Sequence, residues 1–335
     1  METLFVRQAE VARFLPMAEC VEVMAGAMEA LARGETILPL RSILWLPERT
    51  GALGLMPGAL LSDGVLGLKA ITFFTGNEGT PFDCHQGAVL LFEAKHGRLL
   101  AVIDATSVTA IRTAAVSAVA TRALARADAG DLAILGSGVQ ARTHLEAMRC
   151  VRKIRRVRVA SRSLSNARAF AERESARGGT TVEAVASAHE AVEGADLICT
   201  TTSSREPILL GDWIAPGAHV NAVGSSVPSA RELDAAAVAY SRLYADRRES
   251  LLSEAGDFLL ARKEGAIDEN HIVGEIGEVL IGQAPGRRTA EEITLFKSLG
   301  LAIEDVAAAR HIYENARKTG DARFLDFGGS RHEGA

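Results

Sequence analysis

Three cations could do chemistry, and two of them stand in apolar sequence that rarely tolerates charge. Lys69 lies in the apolar run Val65-Leu-Gly-Leu-Lys-Ala-Ile-Thr-Phe-Phe74, and Arg112 lies in Ile103-Asp-Ala-Thr-Ser-Val-Thr-Ala-Ile-Arg-Thr-Ala-Ala115. Arg41 begins a strand pattern after Pro39-Leu40. A buried cation needs an anion or a hydrogen-bond acceptor. A small carboxylate ligand would supply one. A guanidinium grips a carboxylate through two parallel N–H bonds, and a lysine in apolar surroundings has a lowered pKa that suits it to proton transfer. The competing reading of each is a structural cation paired within the protein, with Asp104 a local partner for Arg112. Local sequence leaves both readings open. His85, in the loop before Gln86-Gly87, either lines a site or is a structural loop histidine.

A second constellation is Asp131-Leu-Ala-Ile-Leu-Gly-Ser-Gly-Val-Gln-Ala-Arg142. A strand-like run leads into Gly136-x-Gly138-x-x-Ala141, and a helical pattern follows. This is the context of a dinucleotide-binding turn. Gly136 permits the tight turn, Gly138 lets backbone approach a pyrophosphate, and Ala141 lets the helix pack on the strand. Val139 and Gln140 open the helix, whose free N–H groups and dipole favour phosphate. The next strand, Arg156 to Ser161, would end in an acid if it held the ribose hydroxyls of NAD. It ends instead in Ala160-Ser161-Arg162-Ser163, with Asn166 beyond. Arg162 suits a 2′-phosphate, and Ser161, Ser163 and Asn166 add hydrogen bonds, so NADPH/NADP is expected, with NADH the weaker alternative. The end of a later buried strand at Thr201, and Val223-Gly224, are also assigned to the cofactor.

These residues require two kinds of scaffold. Strands over 131–135, 156–161, 181–183, 196–201, 218–223 and 242–246, with helices between such as 141–150 and 163–177, predict a Rossmann doubly wound parallel sheet. Residues before about 115 show a helix over about 17–32 and short strands at 40–46, 65–73, 87–93 and 100–104, an α+β pattern. A helical segment at 291–299 and a longer helix at 304–318 are expected to return to that first unit. The domains are then 1–115 with 300–335, and 116–299 as an inserted nucleotide domain. Residues 328–335 are Gly-rich and polar, as frayed termini are.

Composition excludes several classes. With 335 residues the chain suggests two domains, and at 48% hydrophobic and 24% charged it can bury a sizeable core. A net charge of −5 gives no basic footprint for nucleic acid. The local basic run Arg149 to Arg158 reads as solvated surface. Four scattered cysteines form no CxxC pair, which fits a reducing cytoplasm, and no cluster has metal-ligand spacing. No apolar run is long enough to cross a membrane, and no secretory signal is evident. His144 reads as packing or surface, and Glu275 with Glu278 as loop-ordering acids.

Words spread over residues 5 to 320 add a resemblance. They include Gly67-Leu-Lys69, Thr75-Gly-Asn77, Gln86-Gly87, Gly97-Arg-x-Leu-Ala101, Thr109-Ala-Ile-Arg-Thr-Ala-Ala115, Leu135-Gly-Ser-Gly-Val-Gln-Ala141, Asn221-Ala-Val-Gly224, Arg231-Glu-Leu-Asp234, Gly274-Glu-Ile-Gly-Glu-Val-Leu280 and Phe296 to Asp305. By these the chain resembles the ornithine cyclodeaminase/μ-crystallin family. The resemblance implies a homodimer whose subunits join a Rossmann domain to a substrate and dimerisation domain built from both chain ends. It also implies a substrate carboxylate held by Arg41, Lys69 and Arg112. Ornithine cyclodeaminases carry a catalytic acid where this chain has Ser226, in Gly224-Ser-Ser-Val-Pro228, and an acid after the second strand where this chain has Ser161-Arg162. Both departures resemble the reductase branch of ketimine reductases, pyrroline-2-carboxylate reductases and some alanine dehydrogenases. The implied reaction is reduction of 1-pyrroline-2-carboxylate or 1-piperideine-2-carboxylate to proline or pipecolate. In it Lys69 orients the carboxylate or gives a proton, and Ser226 bonds substrate or water. An alanine-type dehydrogenase, an ornithine cyclodeaminase and a non-catalytic NADPH-dependent binder are the rival readings.

Overall fold

The computed structural model describes residues 2–77, 79–320 and 322–329. The chain forms two compact units. The first holds residues up to Arg112 and those from Leu301 on, and the second runs from Thr113 to Gly300.

The first unit begins with β1 (Glu2–Val6), β2 (Thr36–Ile37), β3 (Ser42–Trp45), β4 (Ala52–Leu60), β5 (Val65–Phe73), β6 (His85–Glu93) and β7 (Leu99–Asp104). The second contains β8 (Asp131–Leu135), β9 (Arg156–Ala160), β10 (Val182–Ala184), β11 (Leu197–Thr200), β12 (His219–Ala222), β13 (Ser241–Ala245), β14 (Ile272–Glu275) and β15 (Ile293–Lys297). The chain returns to the first unit for β16 (Arg323–Asp326).

In the first unit the sheet runs β16-β1-β7-β6-β5-β4-β2, with β3 paired to β4. Alternation along β5 turns Val65, Gly67 and Lys69 to the buried face. The helix Ala302–Thr319 lies on that sheet. It can approach closely because Gly58 and Gly67 stand opposite each other in β4 and β5. A Cβ on Gly67 would come 2.9 Å from Val306 Cγ2 and 2.7 Å from the Leu90 carbonyl, and one on Gly58 would come 3.1 Å from Ala302 Cβ. This contact lays the first turn of the helix, with its two acids, over the sheet.

The second unit is a wholly parallel sheet in the order β10-β9-β8-β11-β12-β15-β13-β14. The order reverses between β8 and β11, the switch point at which doubly wound sheets bind ligands. The α/β expectation therefore holds, with one correction. Residues 291–299 are not helical but supply β15, which pairs with β12 and β13. Glu291, Glu292, Leu295 and Leu299 mimic helical spacing. Ile293, Thr294 and Phe296 are the β-branched and aromatic types that a strand buried on both faces prefers.

Strands at β1, β2, β4, β14 and β16 also escaped the sequence reading. The basic run is corrected in part: Lys153, Arg155 and Arg156 are exposed, as expected of solvated surface, but two of its guanidiniums turn inward. Arg158 is buried and donates to the Glu190 and Glu193 carbonyls, while Arg152 binds the Thr121, Ala125 and Arg126 carbonyls. These guanidiniums stitch turns together rather than face solvent. Of the C-terminal tail, Gly328 and Gly329 lie in no regular element and residues 330–335 lie outside the described residues.

Candidate functional site

The second unit contributes a turn built from backbone. Gly136 follows β8 with φ +121° and donates its N–H to the Ala160 carbonyl at 2.8 Å. A Cβ there would lie 2.8 Å from both the carbonyl and the hydroxyl oxygen of Thr201, so only glycine fits. Gly138 differs. It caps the helix Val139–Val151 with extended backbone, and a Cβ on it would meet nothing within 4 Å. Packing inside the protein does not require glycine there; an approaching ligand would.

The helix start has no side-chain cap, in contrast to the helix Leu164–Ala176 capped by Ser163. Its first N–H groups are thus available to an anion. Gln140 Oε1 is buried there with no hydrogen-bond partner. Val139 is 56% exposed at the helix mouth, while Ala141 is fully buried against the strand. Ser137 donates to Ser161 Oγ at 3.0 Å, tying the turn to the end of β9, after which Arg162 and Asn166 are exposed. These features fit a dinucleotide's phosphates and adenosine end.

Sequence reading missed the residue that shapes the other half of this unit's site. Glu232 is fully buried. It accepts from Thr200 Oγ1 at 2.7 Å, from Thr202 N at 2.6 Å and Oγ1 at 2.7 Å, and from Gly224 N at 2.7 Å. One carboxylate thereby fixes the ends of β11 and β12, where Thr201, Val223 and Gly224 were assigned to the cofactor. Burial and nearby Asp257 push its pKa up, against Lys297 and the threonine bonds. The signal was present in Arg231-Glu-Leu-Asp234, but nothing local says what Glu232 holds. Ser226 is exposed on the loop after β12. His144 is buried packing, bonded to the Gln140 carbonyl and Ser117. Glu275 and Glu278 order the backbone of Arg248 and Glu275.

The first unit contributes charge. Lys69 is 2% exposed and Arg112 4%. Arg112 Nη1 donates to Glu304 Oε2 at 2.6 Å and its Nε to Asp305 Oδ1 at 3.1 Å; Nη2 takes no part in either bond. Lys69 Nζ lies 2.9 Å from Asp305 Oδ2 and 3.4 Å from Thr109 Oγ1. One local reading is corrected by this. Asp104 does not serve Arg112; its Oδ1 accepts Ser107 N at 2.8 Å and caps the helix Ala105–Leu124. Nor is a ligand needed to explain the buried charges, because Glu304 and Asp305 already balance them.

Burial is the largest effect on Lys69 and, with Arg112 and Arg41 adding to it and Asp305 opposing, draws its pKa down to about 8. Burial would lower Arg112 too, but Asp305 and Glu304 outweigh it and hold that guanidinium charged. His85 opens β6 with its ring 4.7 Å from Phe73. Desolvation lowers its pKa, Asp83 opposes, and Lys69 lowers it further, so the histidine shares the lysine's field. Arg41 is half-buried before β3. Arg41, Lys69, Arg112 and His85 therefore converge in the first unit, whereas Ser226 belongs to the second.

No described helix is long and apolar enough to cross a membrane, and no three described His, Cys, Asp or Glu residues are placed to hold a metal.

The sequence profile of the ornithine cyclodeaminase/mu-crystallin family matches residues 1–320. Ketimine reductase mu-crystallin of Mus musculus is 42% identical over 282 residues, 84% of this chain and 86% of that protein. Among solved structures, Thermococcus litoralis Δ1-pyrroline-2-carboxylate reductase in complex with NADH and L-proline is 38% identical, with a TM-score of 0.93 over 96% of this chain and 99% of that one. An archaeal alanine dehydrogenase dimer with bound NAD is 33% identical, with a TM-score of 0.92 over 98% of this chain and 100% of that one.

Proposed function

The chain belongs to the ornithine cyclodeaminase/mu-crystallin family, and from that premise we propose that it reduces a cyclic imine carboxylate, 1-pyrroline-2-carboxylate or 1-piperideine-2-carboxylate, to the corresponding L-amino acid with a reduced nicotinamide cofactor. The cofactor, when bound, supplies the hydride and the protein orients and polarises. The turn at Gly136 and Gly138 and the helix start at Val139, Gln140 and Ala141 hold its pyrophosphate. Thr201, Val223 and Gly224, fixed by Glu232, lie toward the nicotinamide end. Ser161, Arg162, Ser163 and Asn166 take the adenosine ribose. The missing acid and the presence of Arg162 favour NADPH over NADH, although the two solved relatives carry NADH and NAD.

Arg41 and Arg112 grip the substrate carboxylate, with Nη2 the nitrogen of Arg112 outside the internal pairs. Such positioning contributes several kcal/mol of the barrier, on the order of 10²-fold for a displacement of about 1 Å. Lys69 orients the carboxylate and gives the imine nitrogen its proton, directly or through water. Ser226 bonds substrate or water, and His85 lines the wall.

The observation that carries this reading is the sharing of Asp305 by Lys69 and Arg112, two cations 43 positions apart brought into one buried cluster. A panel of cyclic and linear imines, each assayed with NADPH and NADH, tests it. Turnover of the five- or six-membered imine carboxylates, faster with NADPH, is expected. Purified protein inert toward every imine between about pH 5 and 8 would make a non-catalytic binder the better account.

Alanine-type oxidative deamination is the second reading, since that archaeal relative shares the fold throughout. Amino-acid oxidation at alkaline pH separates the two. A homodimer is the proposed assembly, supported by a run of exposed apolar side chains at Ile37, Leu40, Ile43, Leu44, Trp45 and Leu46 in the first unit. Sedimentation as a monomer would overturn it.

A further inference from the structure

Asp305 is fully buried in the first turn of the helix Ala302–Thr319, where a carboxylate is favoured by the dipole. Its neighbour Glu304 is committed elsewhere: Oε1 accepts Leu301 N at 3.1 Å and Oε2 takes Arg112. Asp305 is thus the acid in ion-pair contact with Lys69. The other groups around Lys69 are Arg112 and Thr109 from the helix Ala105–Leu124, Arg41 before β3, and His85 at the start of β6. Two of these are permanent cations and His85 becomes one on protonation.

One carboxylate bridges two cations. Asp305 Oδ2 lies 2.9 Å from Lys69 Nζ, and Oδ1 accepts from Arg112 Nε at 3.1 Å. The acid thereby fixes where the ammonium stands relative to the guanidinium, while Nζ also reaches Thr109 Oγ1 at 3.4 Å.

We propose that Asp305 is a positioning residue of the reaction, holding Lys69 charged beside Arg112 as the proton donor to the imine nitrogen. The inference rests on the imine-reductase reading above. In the step, the hydride pair forms the new C–H bond. The C=N π pair moves onto nitrogen and takes the proton of Lys69 as a new N–H bond. The neutral lysine then regains a proton from solvent.

The consequence is a pH signature. Burial brings Lys69 down to about 8 and Asp305 resists that fall, so the donor is present below this pH and lost above it. Removing the acid's charge lowers the lysine further and moves the alkaline limb of kcat/KM to lower pH.

The test is the pH profile of Asp305→Asn with 1-pyrroline-2-carboxylate and NADPH. The limb should fall by about one unit, so that the loss against the unmodified enzyme is about tenfold greater on the alkaline side than on the acid side. Cofactor affinity should stay unchanged. A loss uniform across pH overturns the proposal and leaves Asp305 a structural anchor. Lys69→Arg should erase the limb, because a guanidinium does not titrate in this range; persistence of the limb there also overturns it. If Asp305→Asn does not fold, Asp305→Glu keeps the charge and shifts its place. Its limb should stay where it was while kcat falls, and a limb displaced downward counts against the proposal. Failure of the reaction reading looks different: the unmodified enzyme then reduces no imine at all.

Discussion

The two units build their binding groups by opposite means. The second offers backbone dipoles: a glycine turn and a helix start drawn from six consecutive residues, Gly136 to Ala141. The first offers full charges, Lys69 and Arg112, balanced by Glu304 and Asp305 from a distant stretch of chain, with Arg112 and Asp305 separated by 193 positions. Dipoles fixed by secondary structure need no counter-ion, so that site can be altered without unbalancing its surroundings. Buried charges have no such independence. Removing one member of a buried pair strands the other, at a cost of about 3–5 kcal/mol. In the first unit binding and stability are therefore coupled, and at Gly138 they separate.

The largest test of this contrast is Arg112→Ala. It leaves Glu304 and Asp305 short of their shared cation. Denaturant unfolding should register a loss of about 3–5 kcal/mol, and steady-state kinetics a higher KM and lower kcat for the imine, together at least about a hundredfold. Cofactor affinity should barely move, and its collapse in a folded variant would break the comparison.

Next come the two glycines. Gly136→Ala forces a side chain into positive φ and against Thr201, which costs about 1–3 kcal/mol of stability and abolishes cofactor binding. Gly138→Ala should leave the melting temperature nearly unchanged, since alanine at a bare cap costs only about 0.5–1 kcal/mol. It should weaken cofactor binding about tenfold, the worth of one charge-assisted hydrogen bond. Equal effects of the two variants on stability would contradict the open space found at Gly138.

Arg162→Ala should lower kcat/KM with NADPH about tenfold, again one charge-assisted bond, and leave NADH untouched. Equal loss with both would refute the assignment to a 2′-phosphate. Smallest of all, Ser226→Ala should cost about fivefold in kcat, one neutral hydrogen bond. A loss as deep as that of Arg112→Ala would move the proton chemistry from the first unit to the second.

Much of the second unit could be read in advance because its determinants are local. Strand, turn and helix follow one another from Asp131 to Val151, and the two glycines of the turn act through their own backbone. The misreading of 291–299 marks the limit of such local patterns. Ile293 to Lys297 is a strand because β12 and β13 receive it on either side, and a short, partly apolar run does not announce that environment. Lys69 and Arg112 stood out as charges in apolar sequence, and both are buried. Their partners did not. Asp104 was near in sequence but serves as a helix cap, while Glu304 and Asp305 read only as acids at the start of a helix. Glu232 was hidden for the same reason.

By itself the sequence determined which backbone would turn, which helices and strands would alternate, and that certain cations would leave water. Those outcomes depend on sterics, hydrophobic period and desolvation, which act over a few residues. Only the tertiary structure decided which acids would meet those cations, because Coulomb partners are chosen by distance in space. That distance was set by Gly58 and Gly67 letting one helix lie close upon a sheet.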